Sequence, residues 1–130
     1  MTANAGDIGG YGLNSGKRDR LILQARATMA GAGVVALPLT FQDDPGITIV
    51  RGGTAGLYNL TFPKSADGQG TLSAQTISAL GTVRNAYLIA ADFGAGTAQI
   101  QTANAAGAAT DPAAADSVTV TISVQMRKDF

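Results

Sequence analysis

Apolar and polar residues alternate with period two along several stretches of this chain. Residues 118–127 give the cleanest case. Val118, Val120, Ile122, Val124 and Met126 are apolar, and Thr119, Thr121, Ser123, Gln125 and Arg127 between them are polar. Strict alternation rich in β-branched residues predicts one half-buried strand. Such a strand must be paired, because an open one leaves a long adhesive edge. The expectation is a strand inside a sheet, with a neighbour on each side.

The same period appears earlier. LILQARATM places Leu21, Leu23, Ala25, Ala27 and Met29 on one face and Gln24, Arg26 and Thr28 on the other. Helix is a rival here, since Leu, Gln, Ala and Arg favour it; the AGAG that follows and the β character elsewhere favour strand. Pro38 in VVALPLTF confines that segment to an edge or a bend. Asp43-Asp44-Pro45-Gly46 is turn chemistry. Ile47 to Arg51 then predicts a strand, GGTAG a reversal, and Leu57 to Phe62 the return strand, with Tyr58, Leu60 and Phe62 on one face. Pro63 ends that hairpin.

TLSAQTISALGTV alternates weakly, with Leu72 and Ala74 set against Thr71, Ser73 and Gln75. NAYLIAAD, residues 85–92, is apolar on both faces, which predicts a strand covered on both sides. Gly94-Ala95-Gly96 turns the chain, and Thr97 to Thr102 returns with Ala98 and Ile100 inward and Gln99 and Gln101 outward. NAAGAATDPAAAD is a long loop of small residues.

About eight short segments at this spacing predict an all-β fold. The expected architecture is an antiparallel, jelly-roll-like β-sandwich over residues 21–130, behind a flexible N-terminal arm at residues 1–20. The arm is rich in Gly, Asn, Ala and Ser and carries too few apolar groups to offset its own ordering entropy. The length of 130 residues suits one domain with a real core.

Composition narrows the chemistry. The chain has no His, Cys, Trp or Glu, and all nine acids are Asp. The groups most used for acid–base and thiolate chemistry are therefore missing, and an enzyme is not expected. Net charge is zero, which gives no general attraction to nucleic acid or to an acidic membrane. No apolar run approaches the roughly 18 residues a spanning helix needs. MTANAGDIGG lacks the basic-then-apolar layout of a secretory signal.

The candidate motifs mostly read as scaffold. GGTAG does not match a phosphate-binding loop, and GAGTAQ lacks the helix that a dinucleotide site requires. Asp43 and Asp44 read as a turn cap, because calcium wants six to eight oxygens and no spaced set of acids accompanies them. Asp111-Pro112 and Asp116 belong to a loop by the same logic. Tyr58, Phe62, Tyr87 and Phe93 read as core or subunit-contact aromatics rather than a sugar-stacking platform. No cofactor and no metal is expected. The cluster KRDR, Lys17 to Arg20, reads either as a solvated boundary or as a contact with an acidic neighbour.

GITIVRGGTAGLYNLTFP, together with AYLIAADFGAGTAQIQTANAAGAATDPAAADSVTVTISVQ, resembles small virion proteins of tailed bacteriophages, the β-sandwich head-decoration, cement or short head-fibre proteins. The matching elements are Gly46–Arg51, Tyr58 to Phe62 with Pro63, Ala95–Thr102, Ala105–Pro112 and Val118–Val124. The likeness covers roughly residues 21 to 126 and consists of hairpin and turn residues, not a chemical site. It implies a protein at the capsid surface of a virion, often trimeric, that contacts the major capsid protein and copies of itself. The partner-contact residues expected are Tyr11 and Leu13 as apolar anchors and Lys17, Arg18 and Arg20 as a basic cluster. The alternative is a trimeric fibre or tail-associated jelly-roll module that binds a glycan.

Overall fold

The computed structural model describes residues 20–42, 46–78 and 81–125. Among them are nine strands and no helix: β1 (Arg20–Gly31), β2 (Val34–Val35), β3 (Phe41–Gln42), β4 (Thr48–Arg51), β5 (Leu57–Thr61), β6 (Gly70–Ile77), β7 (Asn85–Asp92), β8 (Thr97–Ala103) and β9 (Ser117–Gln125). They form two antiparallel sheets. The first runs β2–β1–β9–β6, with β3 also pairing with β1; the second runs β4–β5–β8–β7. The chain changes sheet between β3 and β4, β5 and β6, β6 and β7, and β8 and β9. This is the expected sandwich, with the sheet-switching connections of a jelly roll.

β9 is central, as its alternation requires. It pairs with β1 from Ser117 opposite Thr28 to Gln125 opposite Arg20, and with β6 from Ser117 opposite Ile77 to Val124 opposite Gly70. Val118, Val120, Ile122 and Val124 are fully buried. Burying an aliphatic side chain of this size stabilises by about 1.5–3 kcal/mol. Leu23, Ala25, Ala27 and Met29 of β1 face the same core. Nine residues paired with β9 settle β1 as a strand, since tertiary pairing overrides helix propensity. Leu21, expected on the buried face, stands exposed near the start of β1.

The second sheet supplies Ile49, Tyr58, Leu60, Ala98 and Ile100, with Phe62 just past β5. Phe93 packs on Phe62, ring centroids 5.6 Å apart. Pro38 lies in the short bend between β2 and β3, both of them edge strands.

The loop after β8 is pinned by two carboxylates. Asp116 is buried and accepts from the Ser78 hydroxyl and the Ala113 amide, both at 2.9 Å. Its carbonyl accepts from the Met29 amide at 2.8 Å. Asp111 accepts from Arg51 and from the Gly56 amide. Gly33, at φ 73°, passes so close that a Cβ there would sit 2.6 Å from the Asp111 carboxyl carbon.

The expectation for NAYLIAAD is overturned. Among the described residues β7 is the edge of the second sheet, hydrogen-bonded to β8 alone, and its residues are exposed except for the half-buried Ala86. Apolarity on both faces marks a core strand only where both faces and both edges are covered. Among the described residues no further strand lies beyond β7 to cover it.

Candidate functional site

Of the contact residues expected from the sequence, Tyr11, Leu13, Lys17 and Arg18 lie outside the described residues, as do Asp43 and Asp44. Arg20 opens β1, and its Nη2 donates to Asp67 Oδ2 at 3.2 Å. The Asp67 carboxyl is held below its ordinary range chiefly by the Gln69 amide and next by the Ser65 hydroxyl; burial opposes the shift and the Arg20 charge adds a smaller part. Arg20 is thus engaged within the fold, bracing the turn before β6. Among the described residues no group of three or more acids could hold a metal ion.

Besides Leu21 and Ile22 at the start of β1, Phe41 on β3 and Ile77 at the end of β6, the exposed large apolar side chains lie at two edges of the sandwich. One edge carries Val34, Leu37 and Val50, around a hollow of about 240 Å³ that Val35 and Ile49 also line. The other edge carries the middle of β7: Tyr87 is 48% exposed, Leu88 40% and Ile89 48%. Exposed, long, apolar edge strands act as templates for pairing with another chain.

β7 has a specific geometry. Tyr87 is opposite Gln101 and Leu88 opposite Ile100, but Ala90 is opposite Gln99, so Ile89 is an extra residue in a β-bulge. Bulges re-aim side chains by shifting the alternation by one. Asn85, Tyr87, Ala90 and Asp92 all oppose residues on the outer face of β8, while Leu88 and Ala91 oppose the core-facing Ile100 and Ala98.

Beside Ala90 lies a groove of about 460 Å³ on the outer face of the second sheet, bordered by Asn59, Thr61, Asp92, Thr97 and Gln99. Gln99 Nε2 donates to Asn59 Oδ1 at 2.9 Å. Asp92 Oδ1 accepts from the Ala95 amide at 3.0 Å, which caps the turn after β7. Among the described residues no aromatic side chain lines the groove; Tyr87 lies outside it. Arg84, just before β7, is exposed, and among the described residues neither Arg84 nor Asp92 belongs to an ion pair.

Sequence reasoning picked out the residues of this edge but placed them in the interior. The bulge left no signal, since nothing in LIAAD distinguishes an extra residue from a regular one. Comparison with known proteins adds no relative: no protein family, no curated protein and no solved structure matches the chain.

Proposed function

We propose that this chain is a non-enzymatic structural protein of a virion, one that decorates or cements a capsid by bridging neighbouring capsid subunits. The observation that carries this reading is the placement of exposed apolar surface. Most of it lies on two opposite sheet edges, with Leu21 and Ile22 at the start of β1, where it can meet other subunits, rather than around a pocket with converging titratable groups. The hairpin and loop residues that resemble phage head-decoration proteins support the same reading. Burial of such edges contributes about 25 cal/mol per Å² before the costs of association. Repeated over many equivalent positions, modest contacts add up to a stabilised shell.

The partners proposed are the major capsid protein and further copies of this chain; the trimer that the resemblance implies rests on that resemblance alone. The glycan-binding alternative points to the groove, which offers amides, hydroxyls and a carboxylate but no ring for a sugar to stack on.

Co-sedimentation with capsids that lack the protein tests the proposal. Full-length protein is expected to pellet with them and to raise their melting temperature. Deleting residues 1–16 leaves all nine described strands in place and is expected to weaken capsid binding, with Tyr11 and Leu13 removed. Changing Lys17, Arg18 and Arg20 to Ser together is expected to weaken it mainly at low salt. Absence of binding by the full-length chain would overturn the proposal.

A further inference from the structure

We infer that β7 is the seam of a two-fold homodimer. Two copies pair their Asn85–Asp92 strands antiparallel and merge their second sheets into one continuous eight-stranded sheet, four strands from each copy.

The bulge is what makes the strand self-complementary. In a regular strand, residues three apart such as 87 and 90 point to opposite faces. With Ile89 as the extra residue, Asn85 and Tyr87 before it and Ala90 and Asp92 after it share the outer face. Ala86 and Ala91, opposite Thr102 and Ala98, share the inner one. The strand therefore reads alike from both ends, about a point between Leu88 and Ile89. A two-fold axis there sets Tyr87 opposite the partner's Ala90, Ala86 opposite the partner's Ala91, and Asn85 opposite the partner's Asp92. Every pair joins residues of the same face. The shift also matches backbone direction, because the extra residue changes which amides and carbonyls point toward the free edge. An unbulged strand in this register would set inward residues against outward ones.

The side chains fit. Tyr87 is the largest protruding group on β7, and it faces the partner's Ala90, a small side chain on the rim of the groove. The ring enters that groove, where Asn59, Gln99 and Asp92 of the partner copy offer polar groups to its hydroxyl. Leu88 and Ile89 meet their counterparts at the axis. Charge fixes the direction: Arg84 stands at one end of the strand and Asp92 at the other. Antiparallel pairing brings Arg84 beside the partner's Asp92, twice, whereas parallel pairing would set like against like. The apolar pattern of NAYLIAAD then has its cover in a second copy of itself.

This inference concerns the free protein and stands independently of any capsid. Sedimentation velocity at micromolar concentration is expected to give a dimer for the full chain. Ala90→Arg fills the groove and is expected to give a folded monomer that still melts cooperatively, since Ala90 is exposed at an edge, and whose melting temperature no longer rises with protein concentration. Arg84→Asp is expected to weaken the dimer, and Arg84→Asp combined with Asp92→Arg to restore it. The chain has no cysteine, so designed pairs report cleanly. Tyr87→Cys with Ala90→Cys is expected to form a disulfide-linked dimer on oxidation, because directly opposed residues lie within disulfide reach. Either single variant is expected to stay unlinked. A monomeric or trimeric wild type would overturn the inference. So would a dimer indifferent to Ala90→Arg, or cross-linking as efficient in a single variant as in the double.

Discussion

Arg51 holds Asp111 with both arms of its fork, Nε to Oδ1 at 3.2 Å and Nη2 to Oδ2 at 2.9 Å. The same Oδ1 accepts the Gly56 amide at 2.7 Å, so one carboxylate joins β4, the hairpin loop and the loop after β8. The hydrogen bonds from Arg51 are the main cause that holds the Asp111 carboxyl below its ordinary range; burial opposes them, and the Gly56 amide adds to them. A carboxyl lowered in the folded state contributes stability above its ordinary range and loses it as pH falls through the folded value. Stability is therefore expected to fall below about pH 4. Asp111→Asn is expected to lower the melting temperature at neutral pH and to flatten the acid limb, Asp67 supplying part of what remains. A variant whose acid limb matched that of the wild type would show that the clip does not operate.

Tyr58 predicts an alkaline counterpart. It is fully buried, its hydroxyl donates to the Gly33 carbonyl at 3.0 Å, and its pKa is pushed up to about 12, chiefly by burial. A tyrosine raised in the folded state stabilises fully below its ordinary pKa of about 10 and loses that contribution as pH rises through the folded value. Ultraviolet titration is expected to show a late phenolate step coincident with loss of fold, and Tyr58→Phe to lack it. Tyr58→Phe should also cost about 1–3 kcal/mol at neutral pH, because the Gly33 carbonyl is left without its donor.

Gly33 is a third test. At φ 73° an alanine is strained, and its Cβ would sit 2.6 Å from Asp111 Cγ and 2.9 Å from Arg51 Nε. Gly33→Ala is expected to cost about 1–3 kcal/mol in urea unfolding. A neutral result would mean that the clip can move aside.

Val120→Asp tests the centre of the core. Val120 is fully buried on β9, between Ala25 of β1 and Ala74 of β6. An unpaired charge there costs several kcal/mol. Circular dichroism is expected to show no cooperative melt; a folded, soluble variant would remove β9 from the core.

Legibility in the sequence followed covering. β9, β5 and β8 lie within sheets with one apolar face, so their alternation reports orientation directly, and Val120, Tyr58 and Ile100 were readable as inward. β7 breaks the rule because its residues are apolar yet nearly all exposed, with no covering layer among the described residues. The clips at Asp111 and Asp116 were readable as loop residues but not as contacts. Arg51 and Asp111 are 60 residues apart, and no local pattern marks a bond across that distance. Arg20, read from the sequence as part of a basic contact cluster, also donates to Asp67, a bond across 47 residues that no local pattern marks.

The central place of β9 has a consequence for synthesis. A ribosome releases β1 first and β9 last of the nine described strands, yet β9 is the strand that joins β1 to β6 in their sheet. Until residues 117–125 emerge, Leu23, Ala25, Ala27 and Met29 have no central strand to pack beside. Closure then joins segments separated by nearly the whole sandwich, the kind of long-range pairing that folds slowly. A chain halted before Ser117 is not a smaller sandwich but two flanks without a middle, exposed to whatever strand arrives next.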